Sequence, residues 1–212
     1  MVTTLSIIHY KGFSNKYWGF TMMQRSHPYV QNIEGLRFYK VLGTGAGNGF
    51  RPQPNFSLYV FLGVWDSEKK ADNFLLDSVL FNKYREKSEE IYNIYMKNIR
   101  VHGSWSGQKP FIPEDPLPEG DLIAVITRAT ISRKHLIRFW KKVPAVSHPV
   151  QDQEGLIFST GIGEWPLTQM ATFSLWKNEE AMKAYAYQLP EHLEVIRMTR
   201  ELNWYKEEMF AR

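Results

Sequence analysis

Residues 154–199 read EGLIFSTGIGEWPLTQMATFSLWKNEEAMKAYAYQLPEHLEVIRMT. Residues 155–162 and 170–176 are apolar runs rich in β-formers, and Gly163, Glu164 and Pro166 between them signal a hairpin. Asn178 then stands where a helix N-cap is wanted, with Glu179 and Glu180 in the first turn, where carboxylates suit the helix dipole. Pro190 lacks a donor and crowds the preceding turn, which predicts a kink or restart there. Tyr185, Leu189, His192 and Ile196 fall along one helical face if the kink is mild. An imidazole on that otherwise apolar face needs a partner for each ring nitrogen, either a hydrogen-bonding core group or a metal.

An earlier stretch repeats this plan. Glu34-Gly35-Leu36 answers Glu154-Gly155-Leu156, and Asp66-Ser67-Glu68 answers Lys177-Asn178-Glu179. Upstream, Trp18 and His27-Pro28 answer Trp140 and His148-Pro149. The offset of 120 between the Glu-Gly pairs falls to 111 between Trp65 and Trp176, because the first hairpin is longer. Two diverged copies of one unit are implied. The first copy has Val79-Leu80-Phe81 where the second has Pro190-Glu191-His192, so any chemistry here is expected to be asymmetric.

Taken in order, residues 4–11 predict a strand and residues 15–31 a helix ended by Pro28. Residues 35–45 and 56–65 form the long hairpin, 68–87 a helix and 91–105 a closing strand. Residues 107–120, with four prolines, read as a stiff linker. The second unit starts with a strand over 122–131, has a helix capped by Ser132 and running to about residue 145, and ends with a strand over 202–210. The predicted fold is α+β: tandem ferredoxin-like repeats of the dimeric α/β barrel type, two antiparallel sheets packed face to face with helices outside. The expected domains are 1–106 and 121–212, joined by the linker.

The glycine run at residues 43–49 invites comparison with a phosphate loop, but it leads into two prolines and another strand rather than a helix N-terminus. The chain of 212 residues contains no cysteine, which excludes disulfides, thiolate haem ligation and cysteine nucleophiles. A net charge of +4 with no long Lys/Arg run gives no sign of nucleic-acid binding. No apolar run reaches the ~20 residues of a membrane span, and no signal peptide is evident. Cytoplasmic residence is the default, and Arg133, Lys134, Arg138, Lys141 and Lys142 beside Phe139 and Trp140 suit a peripheral contact at the inner membrane face.

Several blocks are specific enough to identify relatives. Phe38-Tyr39-Lys40-Val41-Leu42-Gly43-Thr44-Gly45, Gly103-Ser104-Trp105-Ser106-Gly107, Thr127-Arg128-Ala129-Thr130-Ile131 and Gly161-Ile162-Gly163-Glu164 resemble the spheroidene monooxygenase family of carotenoid-modifying enzymes. The resemblance runs over nearly the whole chain. It implies a haem-dependent monooxygenase, with haem b and O2, that introduces a keto group into an acyclic carotenoid or similar apolar substrate. It also implies an electron donor such as ferredoxin, and self-association is compatible with the fold. Pro190-x-His192 stands where family members also carry a histidine after proline, so the resemblance points to His192 as the iron ligand, with Tyr185, Leu189 and Ile196 beside it. Arg51, Arg128 and Gln169 are the candidates for propionate or distal contacts. Two other readings remain: a haem or lipid carrier without catalysis, and a cofactor-free oxygenase.

Overall fold

A computed structural model of the chain describes residues 1–46, 53–114, 122–141, 153–165, 167–188, 197, 201–202 and 204–212. The chain divides into two compact units, residues 1–44, 55–98 and 110–114 in the first and 45–54, 99–109 and 115–212 in the second.

In the first unit the order is β1 (Val2–His9), α1 (Phe13–Arg25), β2 (Leu36–Gly45), β3 (Pro54–Trp65), α2 (Glu68–Asp77), α3 (Val79–Lys87) and β4 (Glu90–Met96). Its strands lie in the order β4-β1-β3-β2, with β1 antiparallel to both β3 and β4. That is the ferredoxin-like order. One sheet face carries Val2, Ile8, Tyr10, Phe61 and Trp65, which pack with Met22 of α1 and with Phe74, Leu80, Phe81 and Tyr84 of α2 and α3.

The second unit repeats this with β6 (Ile123–Ile131), a 3-10 turn at Arg133–His135 continuing as helical residues 136–141, β7 (Leu156–Trp165), β8 (Gln169–Trp176), α4 (Glu179–Gln188) and β9 (Tyr205–Ala211). The order β7-β8-β6-β9 is the same arrangement, extended at its edge by β5 (Val101–Gly103).

The duplication is visible in atomic detail. Gly35 and Gly155 both have positive φ, 80° and 84°, at the foot of equivalent hairpins. Gly35 O accepts from Asp66 N at 2.9 Å, and Gly155 O from Lys177 N at 2.8 Å. Beyond each corner a side chain caps the helix: Ser67 Oγ accepts from Lys70 N, and Asn178 Oδ1 from Ala181 N. Trp65 lies 5.1 Å from the ring of Phe74, and its counterpart Trp176 stacks at 5.2 Å on Tyr185.

Three expected elements are divided. The helix over 68–87 breaks at Ser78, whose extended backbone (ψ 148°) ends α2 while its Oγ caps α3 by accepting from Phe81 N at 3.2 Å. The helix over 15–31 stops at Arg25, where Ser26 Oγ donates back to Met22 O and also meets Tyr84 Oη at 2.7 Å; a 3-10 turn follows at His27–Val30. The strand over 91–105 is two strands. Residues 99 and 100 turn to donate to Arg212 O, and β5 pairs with β9, so residues 99–109 belong with the second unit rather than the first.

Trp65 Nε1 donates to Thr4 Oγ1 at 2.9 Å in the fully buried first core. Thr4→Val keeps the shape and removes the acceptor, so a loss of about 1–3 kcal/mol is expected, read as a lower urea midpoint with unchanged slope.

Candidate functional site

Strand alternation sorts the side chains of the second unit's strands onto two faces. Val125, Trp176 and Leu156 turn toward Met182 and Tyr185 of α4, whereas Ile126, Arg128, Ala171, Phe173 and Ile162 turn the other way. Arg128 is therefore a charged residue in phase with buried apolar ones, and its side chain is only 2% exposed.

A cation taken out of water must be compensated. Arg128 Nη1 donates to Glu207 Oε2 on β9, and Nη2 lies 3.6 Å from Glu164 Oε2 on β7. Its guanidinium sits 5.7 Å from the Trp105 ring, a cation–π distance. Trp105 Nε1 in turn donates to Glu164 Oε2 at 2.8 Å. Arg128 Nε has no partner among the described residues.

Glu207 also organises the segment that follows β5. Its carboxylate accepts from Ser104 Oγ at 2.9 Å, Ser106 N at 3.1 Å and Gly107 N at 2.7 Å. Ser106 and Gly107 both have positive φ, 55° and 74°, so two successive backbone N–H groups converge on one anion. Burial pushes the Glu207 carboxyl up. The hydrogen bonds from Gly107, Ser104 and Arg128, with the Arg128 charge, outweigh that and hold it below the usual carboxylate range.

The arrangement is confined to the second unit. Arg128 pairs with Ala171 across β6 and β8; the matching pair across β1 and β3 is Ile7 with Val60.

Of the residues expected to form the site, Gln169 lies opposite Thr130 in the ladder, so it shares with Arg128 the face turned away from α4. Tyr185 lies on the other face, stacked on Trp176 as Phe74 packs by Trp65. Burial pushes its phenol up to about 12. Arg51, Leu189, His192 and Ile196 lie outside the described residues.

The described histidines differ in setting. His9 meets Glu89 at 3.2 Å, His27 Nδ1 meets Tyr39 Oη at 2.9 Å, and His102 is largely exposed, 3.8 Å from Glu208. His135 Nε2 is buried with no hydrogen-bond partner among the described residues. No group of three or more His, Asp or Glu that could hold a metal ion occurs among the described residues. No helix there is long and apolar enough to cross a membrane.

Glu207 and Trp105 were missed in the sequence. Glu207 was detectable: it lies in phase with Met209 and Ala211 on β9, whose side chains are buried, and a carboxylate in that phase requires an internal cation. Trp105 carried no such signal, because its place depends on pairing with Gln108 in a turn distant in sequence from the strands it meets.

No protein-family model matches the chain. Among solved structures, an anthrone oxidase-like protein aligns over 99% of this chain and 90% of that one, at TM-score 0.36 and 12% identity. A cofactor-independent oxygenase from Streptomyces nogalater aligns over 43% of this chain and 91% of that one, at TM-score 0.35 and 15% identity. At such scores neither likeness bears on function. The sequence relatives are far nearer. Spheroidene monooxygenase of Cereibacter sphaeroides is 32% identical over 210 residues, 99% of this chain and 65% of that protein's length. Its namesake from Rhodobacter capsulatus is 32% identical over 214 residues, 100% of this chain and 88% of the relative. That of Rubrivivax gelatinosus is 31% identical over 195 residues, 92% of this chain and 75% of the relative. With identity sustained from end to end and one relative covered to 88% of its length, the chain belongs to the spheroidene monooxygenase family.

Proposed function

We propose that this chain is an oxygen-dependent monooxygenase that introduces oxygen into a carotenoid or similar apolar hydrocarbon, with haem b held by His192. The observation that carries the oxygenase part of this reading is the 31–32% identity, over 92–100% of this chain, with three proteins named spheroidene monooxygenase. The described structure is compatible in two respects. The face of the second unit's strands turned away from α4 carries buried Ile126, Ile162 and Phe173, and polar groups gather toward one end at Arg128 and Gln169.

The donor chemistry suits a histidine-ligated haem. Cysteine is absent, which excludes a thiolate ligand, and among His, Met and Tyr a neutral imidazole suits oxygen chemistry best. Haem supplies oxygen activation when bound. The chain's own part would be to fix the iron through His192 and to hold the hydrocarbon against apolar side chains, with Arg51 as a candidate donor; Gln169 lies on the opposite face of the strands from Tyr185 and would serve the substrate rather than the iron. Arg128 hydrogen-bonds Glu207 through Nη1 and is ion-paired with Glu164 through Nη2, so its proposed part is to hold Glu164, Trp105 and the 104–107 segment in place. A monooxygenase reduces the second oxygen atom to water, and a ferredoxin-type protein is the proposed electron donor. The exposed cations Arg133, Lys134, Arg138 and Lys141 suit an acidic carrier or the inner membrane face.

Purified protein given reductant, haem and an acyclic carotenoid in detergent is expected to form an oxygenated product under air and none under argon. No product under air, or equal product under argon, would falsify the oxygenase reading; bound haem with unchanged carotenoid would favour a carrier.

A further inference from the structure

Helix α1 carries aromatic rings on the side its core does not use. Its inner side is Trp18, Gly19 and Met22: Trp18 meets Tyr10 and Tyr84 edge-on at 5.9 and 6.1 Å. A Cβ on Gly19 would lie 2.6 Å from the Tyr10 ring, so the helix is already seated closely on its sheet. On the outer side Phe13, Tyr17 and Phe20 are 88%, 62% and 50% exposed, and their spacing aligns them along one face. Phe20 meets Phe56 of β3 at 5.9 Å, and Phe56 is itself 51% exposed, so the aromatic surface continues from helix to strand. Single exposed apolar residues are ordinary in a soluble protein; a run of four rings is not.

The charges carried by this helix are one-sided, and Lys11 ahead of it is ion-paired with Glu89 at 3.0 Å. Residues 1–33 contain no Asp or Glu, and Glu34 is the sole carboxylate in the first 65 residues, against Lys11, Lys16, Arg25, Arg37, Lys40 and Arg51. Within α1 itself Lys16 and Arg25 accompany the rings, and neither has an ion-pair partner among the described residues. Two copies of this face brought together would set like charges against each other. Rings that are apolar in body, on a helix whose own charges are all cations, match the headgroup layer of an anionic bilayer, where aromatic side chains settle at interfacial depth and Lys and Arg meet phosphate.

We propose that α1 of the first unit, with Phe56, is a lipid-docking face that seats the protein on an anionic membrane surface through Phe13, Tyr17 and Phe20. This extends the reading of an apolar, membrane-dissolved substrate, for which such a face would be the route of delivery, but binding itself requires no turnover. The two readings therefore fail separately.

The test is co-sedimentation of the full chain with vesicles of phosphatidylcholine alone or with phosphatidylglycerol, without carotenoid. Wild type should partition onto the phosphatidylglycerol vesicles, and Phe13→Ser/Tyr17→Ser/Phe20→Ser should lower that partition about tenfold or more with an unchanged circular dichroism spectrum. Lys16→Glu/Arg25→Glu should lower it by a similar factor and become insensitive to salt. The proposal is overturned if wild type does not bind, if the aromatic variant binds as well as wild type, or if only Arg133→Glu/Lys134→Glu/Arg138→Glu abolishes binding. It is equally overturned if sedimentation equilibrium shows a wild-type dimer that the aromatic variant converts to monomer, since the stripe would then be a self-association surface.

Discussion

Arg128→Met should destabilise the protein by about 3–5 kcal/mol at neutral pH, the usual cost of stripping one partner from a buried ion pair. For a chain of this size that corresponds to a fall of roughly 10 °C in Tm. The loss would come less from the arginine's own contacts than from what remains: Glu207 and Glu164, both largely buried, would face each other's charge without a cation. Methionine preserves the stem's packing, so the effect isolates the charge. The triple variant Arg128→Met/Glu164→Gln/Glu207→Gln should recover most of the loss, because neutral amides can still accept from Trp105 and from the 104–107 backbone. If Arg128→Met alone leaves the urea midpoint unchanged, the network contributes nothing and the interpretation is wrong.

The same network sets a pH dependence. The folded-state value of Glu207 is depressed, so its contribution is fully present above the ordinary value of 4.5 and is lost as pH falls through the lowered one. Glu207→Gln should be less stable than wild type at pH 7 and should lose less of its remaining stability on acidification below 4.5. Equal acid limbs in the two proteins would contradict that assignment.

His192→Ala should abolish the Soret band of protein reconstituted with haem, together with oxygenase activity. The first unit measures the competing explanation. Phe81, the counterpart of His192 in the repeat, is fully buried among Phe61, Phe74 and Tyr84, where it serves packing alone. His192→Phe is therefore the sharper variant. A core histidine should tolerate it with stability kept or raised, and the band, if there is one, should persist. A ligand should lose the band while the fold survives. A band retained in both variants removes His192 from the proposal, and loss in His135→Ala instead would move the ligand to the buried imidazole nitrogen described above.

The fold was legible because the duplication writes the same corner twice. Gly35 and Gly155 recur with the same backbone bond, Ser67 and Asn178 with the same capping role, and Trp65 and Trp176 with an aromatic neighbour on the following helix, and local chemistry sufficed to read them. Breaks such as Ser78 were harder, since a serine cap and a mid-helix serine look alike until the backbone commits. The boundary between the units was misplaced because β5 is only three residues long and its pairing partner, β9, lies about a hundred residues further on. The site was less legible. Arg128 was noticed as a donor, but its carboxylate partners come from two other strands, and only the ladder register brings Glu164 and Glu207 onto its face.

The close approach at the two glycine corners limits what can ever be built there. A Cβ at Gly35 would lie 2.8 Å from Lys70, and one at Gly155 would lie 2.5 Å from Ala181, so even alanine would pry the first turn of a helix away from its hairpin. Lys70 can swing aside because it is long; Ala181 has nothing to swing. A saturation library should consequently show the later corner as the less forgiving of the two, and directed evolution of this scaffold would do better to diversify strands than the hinge between hairpin and helix.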